Sequence, residues 1–271
     1  MIAHPTPDET PTPPPTRRRI LGVRVDDVTA AEALRRIDGY RVRGGWHQVV
    51  TPNSEIVMLA RRDPAYRAVI EDADLALPDG VGLRWAGAVL GQPVRAVVPG
   101  SDTTEHLAAL GAPRGERWFL LGAAEGVAEE AGRRLAARHP GLVVAGTFAG
   151  SPDPADAEAI VARIRAAAPV DTLLVAFGAP AQDLWLARHG PATGATVTMG
   201  VGGTLNFISG RSPRPPALVR RLGLIWLFRL ATEPWRWRRQ LALVRFVGLV
   251  LSERTFHRKA RKARKERHKA G

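Results

Sequence analysis

WHQVVTPNSEIVMLARRDPAYRAVIEDADLALPDGVGLRW, residues Trp46 to Trp85, is the stretch whose reading decides the fold. Two short apolar runs, His47–Val50 and Ala73–Leu77, each stop at a polar loop. Thr51-Pro52-Asn53-Ser54-Glu55 follows the first, and Pro78-Asp79-Gly80-Val81-Gly82 follows the second. Between the runs Ile56, Leu59 and Ala60 recur at helical spacing, and Tyr66, Val69 and Ile70 continue the pattern after Pro64. Strand, helix, strand is the repeating unit of a parallel sheet. In such a sheet the carboxyl ends of neighbouring strands line one crevice, and ligands bind there. Thr51, Asn53 and Asp79 are therefore expected to converge on one pocket, although 28 positions separate the outermost two. An Asp held between Pro and Gly at a strand end suits a general base. The plainer reading is a turn Asp, which is common in such corners.

The same alternation runs outward in both directions. Upstream, Ile20–Val25 reads as a strand, and Asp26-Asp27-Val28-Thr29 as the start of a helix carried by Ala33, Leu34 and Ile37. Downstream come a helix over Leu83–Leu90, a short strand Arg95–Val98, and a helix capped by Ser101-Asp102 that runs to Leu110. The second half gives a strand at Trp118–Leu121, a helix from about Glu125 to Arg138, a strand at Leu142–Gly146 and a helix ending near Ala168. The apolar strand Asp171–Phe177, a short helix to His189 and the strand Thr196–Met199 complete it. This pattern predicts an α/β fold: a Rossmann-like parallel sheet with helices on both faces. No internal repeat is visible in the sequence.

The two ends are different material. Residues 1–16 hold six prolines and almost nothing to bury, which predicts a disordered leader over residues 1–19. Residues 20–216 form the expected Rossmann-like domain, and residues 217–271 a helical basic appendage. Residues 1–216 carry 23 Lys and Arg against 23 Asp and Glu, whereas residues 217–271 carry 16 against 3. The net charge of +13 therefore lies wholly in the appendage. There, Leu222, Ile225, Trp226 and Arg229 share one helical spacing, and Leu241–Leu251 is apolar except for Arg245. Lys259–Gly271 reads as a solvated end. Nucleic-acid binding is one reading of basic residues mixed with Trp226, Trp235 and Trp237, but no nucleic-acid motif accompanies them. The apolar content instead suits helices lying in the headgroup region of an anionic membrane. Each basic residue near such a surface contributes about 1 kcal/mol. Leu241–Leu251 is too short to span a bilayer. The chain has no cysteine, which excludes disulfides, thiolate metal sites and a cysteine nucleophile, and agrees with a cytoplasmic setting. No apolar signal-peptide core stands near the N-terminus.

Three further places carry chemistry. Gly200-Val201-Gly202-Gly203-Thr204 follows a strand and opens a helical run, so its backbone can approach a pyrophosphate. Its spacing is not the G-x-G-x-x-G of a dinucleotide fold. The Gly122 to Gly126 turn is a weaker version of the same idea. Gln182 sits just past the best buried strand, either with its side chain in water or as a hydrogen-bonding partner for a sugar hydroxyl. Asp72-Ala73-Asp74 has the spacing of a divalent-metal site but precedes its strand, away from the crevice. It is read as a solvated strand start, and no metal is expected.

Taken in order, these motifs resemble a known family. They are Thr51-x-Asn53-x-Glu55, Pro78-Asp79-Gly80-x-Gly82, Gly178-x-Pro180-x-Gln182-Asp183-x-Trp185, and Gly200-Val201-Gly202-Gly203 with Phe207, Gly210 and Arg214-Pro215-Pro216. Gly223-Leu224-x-Trp226-Leu227-x-Arg229 with Glu233-Pro234 closes the set. Together they look like the WecG/TagA/CpsF glycosyltransferases over about residues 20–240. The resemblance implies transfer of an N-acetylmannosamine-type sugar from a UDP donor to a polyprenyl-diphosphate-linked sugar, with inversion and without a metal or other cofactor. The setting would be cell-envelope polysaccharide synthesis at the inner face of the bacterial plasma membrane. It implies Asp79 as base, Thr51 and Asn53 at the sugar, Gln182 in the site, and Arg229 with Arg236 or Arg239 at the diphosphate. Its implied partners are the donor, the lipid-linked acceptor, the anionic membrane under residues 217–271, and further copies of the chain. Pro99 interrupts the family's Arg-Val-x-Gly-x-Asp run at Arg95–Asp102, and the leader and the stretch after Ser252 are additions. The alternative is a non-catalytic module that binds a nucleotide sugar or nucleic acid.

Overall fold

The computed structural model describes residues 13–213, 216, 219, 225–232 and 241–256. The chain opens with β1 (Arg17–Ile20), β2 (Val23–Asp26) and α1 (Ala30–Arg43). Then come β3 (His47–Val50), α2 (Ser54–Ala60), α3 (Pro64–Asp72), β4 (Leu75–Ala76), α4 (Val81–Leu90) and α5 (Gly100–Gly111). The second half runs β5 (Arg117–Gly122), α6 (Val127–Arg138), β6 (Val143–Phe148), α7 (Ala157–Ala166), β7 (Thr172–Ala176) and α8 (Ala181–Thr193). β8 (Val197–Gly200), α9 (Thr204–Ser209), α10 (Ile225–Thr232) and a last helix, α11, over residues 241–256 complete it.

Six strands form one sheet in the order β4-β3-β8-β7-β5-β6, and every pairing in it is parallel. Alternate residues of each strand feed opposite layers. Trp118 and Leu120 of β5 and Leu174 and Ala176 of β7 join a core with residues of α1, α5, α6 and α9. Phe119, Leu121, Leu173 and Val175 point the other way, to Ile160, Ile164, Trp185 and Leu186 of α7 and α8. A third core, beside β3 and β4, takes Val50 and Ala76 together with residues of α2, α3 and α4 and with Phe246 and Val250 of α11. Helices thus cover both faces, as the sequence pattern predicts. The element boundaries mostly agree with that pattern within a few residues.

Three expectations need correction. Ile20–Val25 is not one strand but the turn of an antiparallel hairpin, β1 against β2. Leu21 and Gly22 both take positive φ (51° and 81°) to make the corner. Ile20, Leu21, Val23 and Val25 are all buried, so apolar content alone could not show the turn. The hairpin also takes in Arg17–Arg19, which the leader was expected to contain. Arg95–Val98 makes no strand ladder; it runs extended, tied by the amide of Arg95 to Asp27 (2.8 Å) and that of Val98 to the carbonyl of Pro78 (2.7 Å). Ser101-Asp102 does not cap α5, which starts at Gly100 after Pro99 with no cap from its own side chains.

The hairpin is fastened to the sheet by a buried ion pair. Arg24 and Asp26 are 1% and 0% exposed and meet through two hydrogen bonds of 3.0 and 2.8 Å. Arg24 also donates to the carbonyls of Glu71 and Ala73, and Asp26 accepts the amide of Ala76 in β4. Every partner of the pair therefore lies on the α3–β4 corner that leads to Asp79.

Candidate active site

Four adjacent strands, β4, β3, β8 and β7, end at the four loops singled out by sequence. Pro78-Asp79-Gly80 follows β4, Thr51-Pro52-Asn53 follows β3, Gly200 to Gly203 ends β8, and Gly178 to Gln182 follows β7. The Asp79 amide donates to the carbonyl of Pro52 (2.9 Å), which joins the first two loops. Gly80 has φ +112°, a conformation that L side chains rarely adopt, so the corner needs glycine there. The half-buried Asp79 carboxylate accepts the amide of Gly100 at 3.3 Å. This explains the missing local cap of α5: the acceptor for a first-turn amide comes from a loop 21 residues away. A Cβ at Gly100 would lie 3.1 Å from the Thr51 methyl, and the Thr51 hydroxyl points at the carbonyl of Gly200 (3.4 Å). Asp79, Gly100, Thr51 and Gly200 therefore form one continuous line across the crevice floor.

Asn53 and Gln182 do structural work here. The Asn53 Oδ1 accepts the amide of Ile56 (3.0 Å) and so caps α2. Gln182 is 2% exposed, which excludes the reading with its side chain in water. Its Oε1 accepts the amides of Gly178 (3.1 Å) and Gly202 (2.9 Å), clamping the β7 and β8 loops together. Its amide nitrogen lies against Gly200, where a Cβ would come within 2.6 Å of it. Gly200, Gly202 and Gly203 thus sit on a turn held from beneath. Arg236 and Arg239 lie outside the described residues, and of Arg229 only its helical backbone in α10 is described.

Sequence reasoning missed the support under this turn. Asp183 is fully buried, and its Oδ2 accepts the hydroxyl of Tyr66 at 2.6 Å. Its Oδ1 has no hydrogen-bond partner among the described residues and would lie 2.3 Å from a Cβ at Gly200. Burial pushes the carboxyl up to about 6, with the hydrogen bond from Tyr66 working against that rise. The same burial, with Asp183 beside it, raises Tyr66 far above the ordinary phenol range. Asp183 was visible in the sequence as the residue after Gln182, but Tyr66 gave only a helical-core signal.

Asp74, half of the Asp72–Asp74 pair, is engaged at the opposite end of the sheet. Its carboxylate faces His47 Nδ1 (2.8 Å) and accepts the amide of Gln48 (2.9 Å). Among the described residues no group of three or more His, Cys, Asp or Glu is arranged to hold a metal.

The fold and the loops define a Rossmann-like α/β protein whose candidate ligand crevice is the carboxyl edge of β4, β3, β8 and β7. The chain belongs to the glycosyl transferase WecG/TagA/CpsF family, which matches residues 18–260, and it is a glycosyltransferase. Among its relatives is a protein of Bacillus spizizenii (strain ATCC 23059 / NRRL B-14472 / W23), 34% identical over 75% of this chain and 78% of the relative. A second, from Staphylococcus aureus (strain NCTC 8325 / PS 47), is 31% identical over 93% of this chain and 94% of its own length. A third, from Bacillus subtilis (strain 168), is 29% identical over 79% and 84%. All three bear the name N-acetylglucosaminyldiphosphoundecaprenol N-acetyl-beta-D-mannosaminyltransferase.

Proposed function

We propose that the chain transfers an N-acetylmannosamine-type sugar from a UDP donor to a hydroxyl of a polyprenyl-diphosphate-linked sugar, with inversion and without a metal, in cell-envelope polysaccharide synthesis. The relatives' shared name supports the sugar and the lipid-linked acceptor. The observation that carries the chemistry is Asp79, a half-buried carboxylate on the crevice floor beside Thr51 and the start of α5.

In this reading Asp79 takes the proton of the acceptor hydroxyl as that oxygen attacks the anomeric carbon. The bond from the anomeric carbon to the diphosphate breaks on the opposite face, and UDP leaves with the electron pair. The charge that develops on the diphosphate needs donors already in place. The first amides of α4 and α8 open onto this edge. Thr51 contacts the sugar region and Asn53 lies beside it, while Gln182 acts as a positioning residue that fixes the Gly200–Gly203 turn. Arg229, Arg236 and Arg239 supply guanidinium groups to the diphosphate. Support for that assignment comes from α11, whose Phe246 ring lies 4.0 Å from where a Cβ at Gly82 would stand, beside the first turn of α4. The C-terminal segment therefore reaches the crevice rim.

A lipid-linked acceptor also gives the basic appendage a purpose, since it would hold the enzyme on the inner face of the plasma membrane. No helix among the described residues is long and apolar enough to cross a membrane. The test is a transfer assay with UDP-N-acetylmannosamine and a short-chain polyprenyl-diphosphate N-acetylglucosamine, scoring both product and released UDP. Asp79→Asn keeps an acceptor for the Gly100 amide, so the fold should stand. Its kcat should fall about 10²- to 10⁴-fold, with UDP affinity unchanged within a factor of about three. Full turnover by that variant would remove Asp79 from the mechanism. UDP binding by the wild type without any transfer would favour the non-catalytic alternative.

A further inference from the structure

Two helices distant in sequence, α2 and α11, enclose an open groove of about 500 Å³ on the flank of the body. Arg61, Arg62 and Arg245 stand along it, and Met58, Gly248 and Leu249 supply an apolar lining. All three arginines are exposed. Arg61 donates to the carbonyl of Leu21 (3.0 Å), and among the described residues none of the three has an ion-pair partner. The acids nearest in sequence are directed elsewhere. Asp63 accepts the amides of Ala65 and Tyr66 as the cap of α3. Glu253 follows Phe246 by seven residues, which puts it on the inward flank of α11.

Among the described residues the outer face of α11 carries four exposed apolar side chains, with Ser252 and Thr255 between them. Leu241, Val244, Leu251 and Phe256 are 46%, 70%, 45% and 72% exposed. At about 100° per residue they share one side of the helix with Arg245 and Gly248, while Phe246 and Val250 point into the core. A helix with exposed apolar side chains, bordered by guanidinium groups that have no ion-pair partner among the described residues, fits the boundary between headgroups and acyl chains. A nucleic acid would leave the apolar stripe in water. A protein partner would have to match three cations around a cleft with a lipophilic floor.

We propose that the Arg61–Arg62–Arg245 groove seats the phosphodiester of an anionic phospholipid headgroup while the outer face of α11 lies along the acyl boundary. This deepens the membrane reading given above and rests on it. It differs in placing two of the three headgroup contacts, Arg61 and Arg62, on the turn after α2, in the body of the enzyme and outside the basic appendage. Binding is then partly saturable and headgroup-specific, and it fixes which side of the body lies on the bilayer.

The test uses the full chain and vesicles of phosphatidylcholine with or without 30% phosphatidylglycerol. The variant is Arg61→Gln/Arg62→Gln/Arg245→Gln. The control, Arg35→Gln/Arg165→Gln/Arg188→Gln, removes the same charge from exposed positions on α1, α7 and α8. A basic residue at an anionic surface is worth about fivefold in affinity, so the groove variant should bind the anionic vesicles about 100-fold more weakly and the control no more than about threefold. Short-chain phosphatidylglycerol should compete with vesicle binding of the wild type, and millimolar inorganic phosphate should not. Equal losses in the two variants would overturn the proposal and leave a diffuse charge effect. Equal competition by inorganic phosphate would also overturn it, because the groove would then be a bare anion site. Transfer to a water-soluble short-chain acceptor should be unchanged in the groove variant. That activity measures the proposed reaction independently, so loss of the headgroup site and failure of the transferase reading give different results.

Discussion

The two edges of the sheet handle charge in opposite ways. At the amino edge several acids are closed off by partners within the fold. Glu116 pairs with the largely buried Arg41 (2.9 Å) and accepts from Trp118 (3.2 Å). Asp171 accepts the amide of Arg117 (2.7 Å), and Asp74 holds Gln48 and His47 at the start of β3. At the carboxyl edge backbone amides at Gly100, Gly178 and Gly202 are held by the side chains of Asp79 and Gln182. One edge spends its charges on closing the fold. The other fixes its loop backbones around the half-buried Asp79.

Variants can break this contrast, and the largest effect falls at the carboxyl edge. Asp79→Asn should lower kcat by about 10²- to 10⁴-fold with hardly any change in urea stability. A matching loss of stability would make Asp79 a structural acid like those opposite. Next is Asp26→Ala, which strands the buried Arg24. It should cost about 3–5 kcal/mol in urea unfolding. The molecules that remain folded should keep their activity, since the pair anchors the corner without touching the crevice.

Asp183 lies between these extremes, buried like an amino-edge acid but placed under the Gly200 turn. Its folded carboxyl stands at about 6 against an ordinary 3.8, raised by burial. The folded state therefore holds this proton more tightly than the unfolded state does. The stability it contributes is complete below about pH 4 and is lost as pH rises through about 6, a change of about 3 kcal/mol. Asp183→Asn should flatten that slope; the difference between variant and wild type across pH 4 to 7 is the measurement, because acids such as Asp27 and Glu32 are shifted down and act oppositely. The smallest effect belongs to Tyr66→Phe, which leaves the second Asp183 oxygen without its donor. It should cost about 1–3 kcal/mol in thermal unfolding at pH 7, and less at pH 4 where the acid is neutral.

Strand and loop order were legible because they rest on local periodicity: Val49 and Val50 must face opposite layers, and a polar loop must follow. The convergence of Thr51, Asp79 and the Gly200 turn followed from parallel topology alone. Contacts between distant segments were not legible. No local signal says that Asp79 caps α5, that Tyr66 reaches Asp183 across 117 residues, or that Arg24 serves the α3–β4 corner. The hairpin at Leu21-Gly22 was hidden for a related reason, since Ile20, Leu21, Val23 and Val25 are all buried and no polar residue marks the turn between them. Gln182 was recognised by its motif. Its reach to two glycine amides is a fact of three dimensions.

The burial of Phe246 and Val250 has a consequence for the order of synthesis. Translation delivers both after every strand of the sheet has been made. Until they arrive, the pocket they fill beside Val57, Met58 and Leu83 stands open to water. A nascent or proteolytically clipped chain therefore carries its whole sheet with the corner next to Asp79 unsealed. Loss of the C-terminus in a cell would show first as a poorly folded enzyme, before it showed as a misplaced one.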